Sequence, residues 1–596
     1  MLNDDLNNSN LKNKIWKYAV KNAIDYGKAS SGSVFGKVVK DYKDFPIKEL
    51  NKIVNEIVEQ INALSKVDLE KEYKKYEKEF EVYEMKKAEE SKPKLFIEGA
   101  EKGKVITRFP PEPGGFIHIG NAKQGILSDE IAKIYNGKIY LYFDDTNPEK
   151  CKQEYVEAIK RDTAWLGIKF AKEYYASDFI EKIYDYGKRL IETGNAYACL
   201  CSKEKIKENR FNKIECMHRN QSAEENLRIF NDMLANKYDE GSVIIRLKVD
   251  MKSDNATMRD PTIFRIKKVP HYRQGTKYIV WPTYHINTLI VDALNGVTDV
   301  IKSKEYEIWD QLHKKLLKLM DLPIPRIHYE ARLRIKGTTT AKRDMRKLLS
   351  EGLIKNWDDP RMVTIIALRR RGIEPAAIRA FVLRSGFSLT DSVSDMAALF
   401  AENKKIIDPI AKHLFFVSNS TEMETDYKGD AHIRVYPKND VKFRDYKINK
   451  YILISKDDAA QLKEGDTLRL KDLIDVKITK INKINEAKES KETEQAITNF
   501  SISSIKSIEA EQINDAKGSK IIQWVPKDSC IKCKIIIPKE LIDESGNFNK
   551  DSLETLEGFV ESYAKNLNEH DIVQFERFGY CILDDKNSMQ FIFISK

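Results

Sequence analysis

The sequence is poor in cysteine and has no long apolar run. Seven cysteines among 596 residues are a sparse and odd number, which excludes a disulfide framework and fits a reducing compartment. No run of about 18 or more uncharged apolar residues occurs, so the sequence predicts no membrane span. The first residues, MLNDDLNNSNLKNK, lack the apolar stretch of a secretory signal. We therefore expect a cytoplasmic protein without a membrane partner.

Length and charge set the next limits. A chain of 596 residues is too long for one hydrophobic core and suggests roughly three to five domains. The net charge is +10, from 102 basic and 92 acidic residues. This excess fits either a well-solvated, lysine-rich surface or a polyanionic partner such as nucleic acid, and charge alone does not choose between them.

The first half of the chain changes from helical to alternating patterns. Apolar residues recur at helical spacing from Ile47 to Val67, which predicts a helical start to the chain. After Gly103, a strand (Val105–Phe109), a Pro/Gly-rich loop (Pro110–Gly115), a helix and a second strand (Lys138–Asp145) follow within about 40 residues. This order predicts a βαβ unit with a parallel sheet, and so an α/β fold.

Later segments differ in kind. Tyr278–Pro282 and Gly296–Lys302 continue the strand-like pattern, and residues 345–412 are helical with glycine stops. After residue 413, short β-rich runs alternate with turn residues, which predicts one or two β-barrels. The polar segment NEAKESKETEQ (Asn485–Gln495) is expected to be a loop.

The loop Pro110–Asn121 is a candidate nucleotide site. It follows a predicted parallel strand and opens a helix, where unpaired N–H groups and the helix dipole favour phosphate. His118 adds a donor, while Gly115 and Gly120 allow close approach of backbone or ligand. The alternative is a plain helix-capping loop.

A second candidate element is the segment GTTTAKRDMRK (Gly337–Lys347). A loop of small residues that carries Lys342 and Arg343 can close on the developing charge of a pyrophosphate group. The alternative is an exposed basic turn.

Cysteine and histidine cluster once. Cys199-x-Cys201 is followed after fourteen residues by Cys216-x-His218, and two close pairs separated by a loop can form a tetrahedral site of three sulfurs and one nitrogen. The alternative is a set of unrelated buried thiols. Cys530 and Cys533 have no second pair, so we interpret them as incidental.

Five segments in order resemble the glutamate/glutamine branch of class I aminoacyl-tRNA synthetases. TRFPPEPGGFIHIGNAK is similar to that class's HIGH region and TTAKR to its KMSKS loop. The other three are YFDDTNPEK (Tyr142–Lys150), WPTYHINTLIVDALNGVTDVI (Trp281–Ile301) and NWDDPRMVTIIALRRRGI (Asn356–Ile373). The N-terminal block and the β-rich C-terminus also resemble archaeal-type glutamate enzymes, so the resemblance covers nearly the whole chain.

The resemblance implies a domain order. It comprises a helical N-terminal extension (1–98), a Rossmann-type catalytic domain in two halves (99–195 and 276–344), an acceptor-end-binding insert with a zinc knuckle (196–275), a helical stem-contact region (345–412) and anticodon-binding β-barrels (413–596). Similar knuckles in glutamate enzymes imply a structural Zn²⁺ at Cys199, Cys201, Cys216 and His218.

The resemblance also implies roles for single residues. The expected catalytic residues are His118, Asn121, Lys342 and Arg343. The expected glutamate-binding residues are Arg108 for a carboxylate, Asp144 for the ammonium, Tyr284 for a carboxylate, and Lys302. The expected ATP-binding residues are Pro110, Gly115, His118, Gly120, Asn121, Glu305 and Lys342. Implied ligands are ATP with Mg²⁺, L-glutamate and tRNA(Glu), with tRNA(Gln) as an alternative acceptor. The sequence does not reveal the oligomeric state, and we favour a monomer.

Four positions depart from the family pattern: Asn121 replaces the second histidine, Tyr142 and Lys302 replace arginines, and Ala341 replaces the serine of the lysine loop. A cation at Lys302 favours glutamate over glutamine, because a neutral amide would leave a buried charge unpaired. Two alternatives stay open, a glutamine–tRNA ligase and a non-catalytic tRNA-binding paralogue.

Overall fold

The computed structural model describes residues 2–39, 42, 45–90, 95–390, 392–436, 442–483, 505–514 and 520–596. The segment Asn485–Gln495 lies outside them. By internal contacts the chain divides into two compact units, Met1–Lys94 and Leu95–Lys596. A membrane-crossing helix is absent from the described part of the chain.

The N-terminal unit is helical, as predicted. Its helices are α1 (Leu2–Tyr26), α2 (Ser31–Val38), α3 (Ile47–Asn62) and α4 (Lys66–Glu90). On α3 the buried residues recur three or four positions apart: Leu50, Val54, Ile57, Val58 and Ile61. This spacing places them on one face of the helix, which packs against the apolar faces of α1 and α2.

The second unit begins with a parallel sheet. Its first elements are β1 (Ile106–Phe109), α5 (Ile119–Ile134), β2 (Lys138–Phe143), α6 (Gln153–Trp165), β3 (Lys172–Tyr175) and α7 (Ile180–Glu192). Strands β1, β2 and β3 are parallel neighbours. The predicted βαβ unit is therefore confirmed, and the carboxyl ends of its strands share one edge.

An antiparallel sheet interrupts this pattern. Its elements are β4 (Ala196–Cys199), α8 (Lys203–Phe211), α9 (Ala223–Leu234), β5 (Ile244–Leu247), β6 (Thr262–Ile266) and β7 (Val280–Pro282). The four strands pair in chain order. The segment Tyr278–Pro282 contains a strand, as predicted, but β7 covers only Val280–Pro282 and is the last strand of this antiparallel sheet, so it does not continue the parallel pattern.

The chain then returns to the parallel arrangement. The elements are α10 (Tyr284–Leu294), β8 (Asp299–Ser303), α11 (Asp310–Leu319), β9 (Arg326–Glu330), β10 (Leu333–Ile335), α12 (Lys342–Ser350), α13 (Ile365–Arg370), α14 (Pro375–Ser385), β11 (Ser392–Ser394) and α15 (Met396–Ile407). Strands β8 and β9 are parallel. The N–H of Thr298, just before β8, donates to Ile106 O of β1 at 3.0 Å, which aligns the two parallel groups.

The C-terminal region is rich in strands. Its elements are β12 (Lys412–Leu414), β13 (Phe416–Ser418), β14 (Ser420–Arg434), β15 (Phe443–Ser455), α16 (Lys456–Ala460), β16 (Thr467–Leu470), β17 (Asp475–Lys483), β18 (Ile505–Ile513), β19 (Lys520–Ile522), β20 (Val525–Pro526), β21 (Ile531–Pro538), β22 (Leu553–Val560), β23 (Ile572–Phe575), β24 (Gly579–Asp585) and β25 (Gln590–Ser595).

The described C-terminal strands form two sheets that curl on themselves. One has the order β19-β16-β17-β18-β14-β15-β20, and the other β12-β23-β24-β25-β21-β22-β13. In each sheet the two edge strands are consecutive in the chain: only Phe415 separates β12 from β13, and two residues separate β19 from β20. Edges so close in sequence must lie close in space, so each sheet approaches a closed barrel, as predicted.

A buried ion pair connects these two sheets. Arg444 of β15 donates from Nε to Glu561, which follows β22, at 2.8 Å, and both side chains are 1% exposed. Glu561 also accepts from the Phe415 N–H at 2.5 Å. The carboxylate therefore pairs with the first sheet and with the short segment that joins β12 to β13.

Replacing Arg444 with methionine should lower the free energy of unfolding of the C-terminal sheets by about 3–5 kcal/mol, because Glu561 would remain buried without its cation. Urea titration with hydrogen exchange of β15 and β22 peptides measures this change. The control is Lys480→Met, which removes an exposed pair with Glu509 and should cost at most about 1 kcal/mol. Equal effects of the two substitutions would contradict the assignment.

Candidate active site

A cavity of about 660 Å³ opens at the carboxyl ends of β1, β2, β8 and β9. Ligands bind at this edge in open parallel sheets. Most of the site residues expected from the sequence line it: Arg108, Pro110, His118, Gly120, Asn121, Asp144, Tyr284, Lys302, Glu305 and Lys342. Residues up to 234 positions apart in sequence therefore face one space, since Arg108 and Lys342 both line it.

His118 caps the helix that opens at the cavity. Its Nδ1 accepts from the N–H groups of Gly120 and Asn121, and the Asn121 side chain accepts from the His118 N–H in return. Because Nδ1 accepts, the neutral imidazole carries its proton on Nε2. Burial, and then the cations Lys342 and Arg332, lower the pKa of His118 to about 3, so the ring is a neutral donor near pH 7.

Gly120 makes room for this arrangement. A Cβ at that position would lie 2.9 Å from Cε1 of His118, which would displace the imidazole. Asn121 uses its Oδ1 in the cap, so its NH₂ end is the part that can donate to a ligand. The turn thus presents an imidazole N–H and an amide NH₂ to an anion at the N-terminus of α5.

The same turn is held from behind by backbone pairing. Ile119 N donates to Val363 O at 2.9 Å, and Ile365 N donates to Ile117 O at 3.0 Å. His118 and Thr364 form an antiparallel bridge between these bonds. The capping turn is therefore anchored to the segment before α13.

Lys342 reaches the cavity from the first turn of α12. Its Nζ donates to the Glu112 carbonyl at 3.2 Å, and a Cβ on Gly115 would lie 3.4 Å from its Cδ. Gly115 thus contacts the lysine stem without lining the cavity itself. Arg343 differs: its side chain is 96% exposed and pairs with Asp344. The structure does not bring Arg343 to the cavity, because successive residues of a helix point in different directions.

Arg108 and Asp292 form a buried pair at the inner end of the cavity. Arg108 Nε lies 3.2 Å from Asp292 Oδ2, and Nη1 donates to the Ile301 carbonyl at 3.4 Å. The Arg108 side chain is 1% exposed. Its guanidinium is therefore fixed on two sides and can offer its remaining N–H groups to a carboxylate in the cavity.

Asp144 supplies negative charge at the end of β2. Its Oδ1 accepts from Asn287 Nδ2 at 2.6 Å and from Thr146 Oγ1 at 3.1 Å. Burial, and then the nearby carboxylate Glu112, raise the pKa of Asp144 to about 7. Within the described residues no cation lies at ion-pair distance from Asp144. The ammonium group of a ligand could therefore form an ion pair with this carboxylate.

Lys302 is a buried cation on β8 that faces the cavity. It is 5% exposed, and its Nζ lies 3.4 Å from Nδ1 of His313. Burial, and then the Arg108 cation, lower the pKa of Lys302 to about 8. Such a group is charged at pH 7 and incompletely paired, which suits an acidic ligand group.

Tyr284 and Glu305 are the two other predicted residues that line the cavity. Tyr284 begins α10, and its ring packs against Trp309 at 5.3 Å. Glu305 pairs with Arg332 at 3.3 Å and is about half exposed. Tyr142 is fully buried and stacks on Tyr174 at 5.1 Å, so this departure from the family pattern fills the core and does not line the cavity.

Several residues that hold the site were not found from the sequence. Asn287 and Asp292 lie on α10, and the recurrence of polar residues at helical spacing (Tyr284, Thr288 and Asp292) was the available signal. His313 carried no such signal, because eleven positions separate it from Lys302 and only the packing of α11 brings them together.

The four predicted metal ligands meet in a separate cluster. Their ligand atoms all lie within 4.8 Å of one another. Cys216 Sγ is 3.5 Å from the sulfurs of Cys199 and Cys201 and 3.3 Å from His218 Nδ1. A tetrahedral zinc with Zn–S bonds of about 2.3 Å separates its sulfurs by about 3.8 Å. The donor set and its spacing therefore fit zinc.

Family models match three parts of the chain. Residues 104–408 match the catalytic domain of class I tRNA synthetases (E and Q). Residues 411–496 and 521–584 match anti-codon binding domains of the same class.

Curated relatives match the chain over almost its full length. A glutamate–tRNA ligase of Nitrosopumilus maritimus is 37% identical and covers 98% of this chain and 99% of its own. One of Pyrococcus furiosus is 37% identical, with 95% and 96% covered. One of Sulfolobus acidocaldarius is 34% identical, with 97% of each chain covered.

Proposed function

The chain belongs to the glutamate and glutamine branch of the class I tRNA synthetases, and from that premise we propose that it is a glutamate–tRNA ligase. It joins L-glutamate to the 3′ end of tRNA(Glu) at the expense of ATP. The observation that carries the proposal is one cavity that holds an anion-binding helix N-terminus, the Asp144 carboxylate, which has no ion-pair partner among the described residues, and a buried cation at Lys302. These are the complements of a triphosphate, an ammonium and an acidic side chain.

The reaction has two steps. First, the α-carboxylate of glutamate attacks the α-phosphate of ATP, which forms glutamyl-adenylate and releases pyrophosphate. His118, Asn121 and Lys342 donate to the phosphate oxygens, and Mg²⁺ bound to the triphosphate would neutralise part of its charge. Second, a ribose hydroxyl of the terminal tRNA nucleotide attacks the activated carbonyl and AMP leaves. Catalysis consists of positioning and electrostatic stabilisation, without an enzyme nucleophile.

The amino-acid end of the cavity selects glutamate. Asp144 binds the ammonium, Arg108 and Tyr284 bind the α-carboxylate, and Lys302 pairs with the side-chain carboxylate. Glutamine would leave Lys302 buried beside a neutral amide, a loss of about 3–5 kcal/mol, which corresponds to discrimination of about 10² or more. Glutamine is therefore the less favoured substrate.

The other regions bind tRNA. We propose that residues 196–275 contact the acceptor end, 345–412 the stem and 413–596 the anticodon, while 1–98 form an extension and 99–195 with 276–344 the catalytic domain. The two C-terminal sheets and their match to anti-codon binding domains support this division. tRNA(Gln) is a second possible acceptor, and the cytoplasm is the compartment where this reaction serves translation.

We also propose that the cysteine cluster holds a structural Zn²⁺. All four ligand positions are filled by Cys199, Cys201, Cys216 and His218, so no position stays open for chemistry. None of these residues lines the main cavity. The ion would fix the loop between β4 and α8 to the short helix Met217–Asn220.

The function is tested by exchange and charging assays. Glutamate-dependent ATP–pyrophosphate exchange should require tRNA, and charging with labelled glutamate should succeed on tRNA(Glu). Parallel charging of tRNA(Gln) decides the second acceptor. Exchange with glutamine instead would select a glutamine ligase, and tight tRNA binding without exchange would select a non-catalytic binding protein.

Within that assay, Lys342→Ala should lower turnover by about 10² or more with little loss of tRNA affinity, because one cation at the phosphate is removed. Lys347→Ala is the matched control on the same helix, since its side chain is exposed and pairs with Glu351. Steady-state kinetics and tRNA binding measure the two effects. Turnover in Lys342→Ala equal to that of the control would refute the role of Lys342.

A plot of kcat/KM for glutamate against pH should be bell-shaped with a narrow maximum. This ratio follows the ionisations of the free enzyme and free substrate. It should rise through about pH 7 as Asp144 becomes a carboxylate and fall above about pH 8 as Lys302 loses its proton. Lys302→Arg stays charged, so its falling limb should move upward by at least about one pH unit. An unshifted limb would exclude Lys302 as its source.

Metal analysis of the purified chain should find about one zinc ion per molecule. Cys216→Ser should lose that zinc and increase hydrogen exchange in β4 and the helix Met217–Asn220, because the ligand set is broken. Cys530→Ser is the control, since Cys530 is not part of the cluster. Full zinc retention in Cys216→Ser would contradict the site.

A further inference from the structure

Two histidines, the buried His313 and the partly buried His285, follow Lys302 in a series of polar contacts. His313 of α11 places Nδ1 3.4 Å from the Lys302 Nζ. The other ring nitrogen of His313, Nε2, lies 3.3 Å from Nδ1 of His285, which is on α10. Lys302, His313 and His285 thus form a series of hydrogen-bonding groups that begins at the cavity-lining ammonium.

The donors in this series are set by the lysine. An ammonium group only donates, so His313 Nδ1 must offer its lone pair to Lys302. A neutral His313 then carries its proton on Nε2 and donates it to His285 Nδ1. His285 in turn carries its proton on Nε2. Lys302 therefore donates to His313, and His313 donates to His285. The tautomer of each ring is set by the donor before it.

The surroundings keep both rings neutral. Burial, and then the Lys302 cation, lower the pKa of His313 to about 2. Burial, and then Arg210, lower the pKa of His285 to about 4. Neither ring competes with Lys302 for positive charge near pH 7. His313 can therefore accept a hydrogen bond from the Lys302 ammonium without adding a second positive charge beside it.

The charges around Lys302 do not hold it by themselves. Arg108 repels it, whereas Asp292 and Asp310 attract it from a distance. Asp292 is already paired with Arg108 at 3.2 Å. Within the described part of the chain, His313 is the hydrogen-bond partner that the structure gives Lys302, so the remaining N–H groups of the ammonium are available to the cavity that it lines.

A packing role alone does not account for the two imidazoles. His285 contacts the ring of Trp309 at 4.8 Å, and His313 contacts that of Tyr284 at 6.0 Å. Phenylalanine or leucine could fill such positions. An apolar ring in place of His313 would leave the buried Lys302 ammonium without its acceptor, which is costly for a charged group.

We propose that His313 and His285 form a positioning pair that orients the Lys302 ammonium toward the side-chain carboxylate of the amino-acid substrate and thereby contributes to the choice of glutamate over glutamine. This inference rests on the proposed function. The physical reason is the lysine itself: its flexible stem carries a point charge without the rigid fork of arginine. A fixed acceptor on the far side of the ammonium restricts that freedom.

The test compares three variants of His313 and Lys302 in the full-length protein. His313→Leu removes the acceptor, and the KM for glutamate should rise about tenfold while the KM for ATP and kcat change little. His313→Asn keeps an acceptor near the Nδ1 position and should recover most of the loss. Lys302→Met removes the ammonium, and adding His313→Leu to it should cause almost no further loss.

Two further readouts separate positioning from simple damage. In His313→Leu the alkaline limb of kcat/KM for glutamate should move to lower pH, because the ammonium has lost a hydrogen bond that favours its charged form. The preference for glutamate over glutamine should fall in parallel. His328→Leu is the matched control, since His328 bonds to Asp299 on the same strand pair and not to Lys302.

The outcomes are distinguishable. Lack of glutamate charging by the unchanged protein would remove the proposed function and this inference with it. Normal charging with an unchanged KM and pH limb in His313→Leu, or losses that simply add in the double variant, would overturn the inference alone. If His313→Leu fails to fold, His285→Leu against His285→Asn gives the comparison, with a smaller rise in glutamate KM expected for leucine only.

Discussion

The buried pair between Arg108 and Asp292 determines how the active site is assembled. Arg108 is the next-to-last residue of the first parallel strand, and Asp292 lies on a helix that follows the inserted antiparallel sheet. Each would be an uncompensated buried charge without the other, so the two halves of the parallel sheet must meet in one alignment. That alignment brings Asp144 and Lys302 to the same cavity that Arg108 lines, and the bond to Asp292 fixes the Arg108 guanidinium. Charge selection at the amino-acid end follows from this constraint.

The phosphate end is ordered by backbone pairing. The His118 turn is bridged to Thr364, and Thr364 Oγ1 donates to the Trp357 carbonyl at 2.5 Å. Trp357 stacks on Phe116 at 5.6 Å, next to Gly115 and the stem of Lys342. The capping turn and the lysine loop therefore share one support. Ile542 N donates to the Gly337 carbonyl at 3.0 Å, so the connection between β21 and β22 also contacts the start of the lysine loop.

Much of the fold could be predicted from the chain because its signals are local. Helical spacing in Ile47–Val67, the strand–loop–helix–strand order around Pro110–Gly115 and the glycine stops after α13 and α14 each depend on neighbouring residues. The positions of the site residues were predicted less consistently. His118, Asn121 and Lys342 line one cavity as the resemblance implied, whereas Arg343 points to solvent and Tyr142 is part of the core, because helix phase and sheet packing decide where a side chain points.

The sequence by itself determined the family, the order of its segments and the chemical types available for a nucleotide, an acidic amino acid and a metal ion. These follow from residue identity and short spacing, which can be read from the sequence without knowledge of the fold. Only the tertiary structure decided which groups touch. The Arg108–Asp292 pair, the Asn287 bond to Asp144 and the placement of His313 behind Lys302 join positions that are distant in the chain, and such contacts depend on how whole helices pack against the sheet.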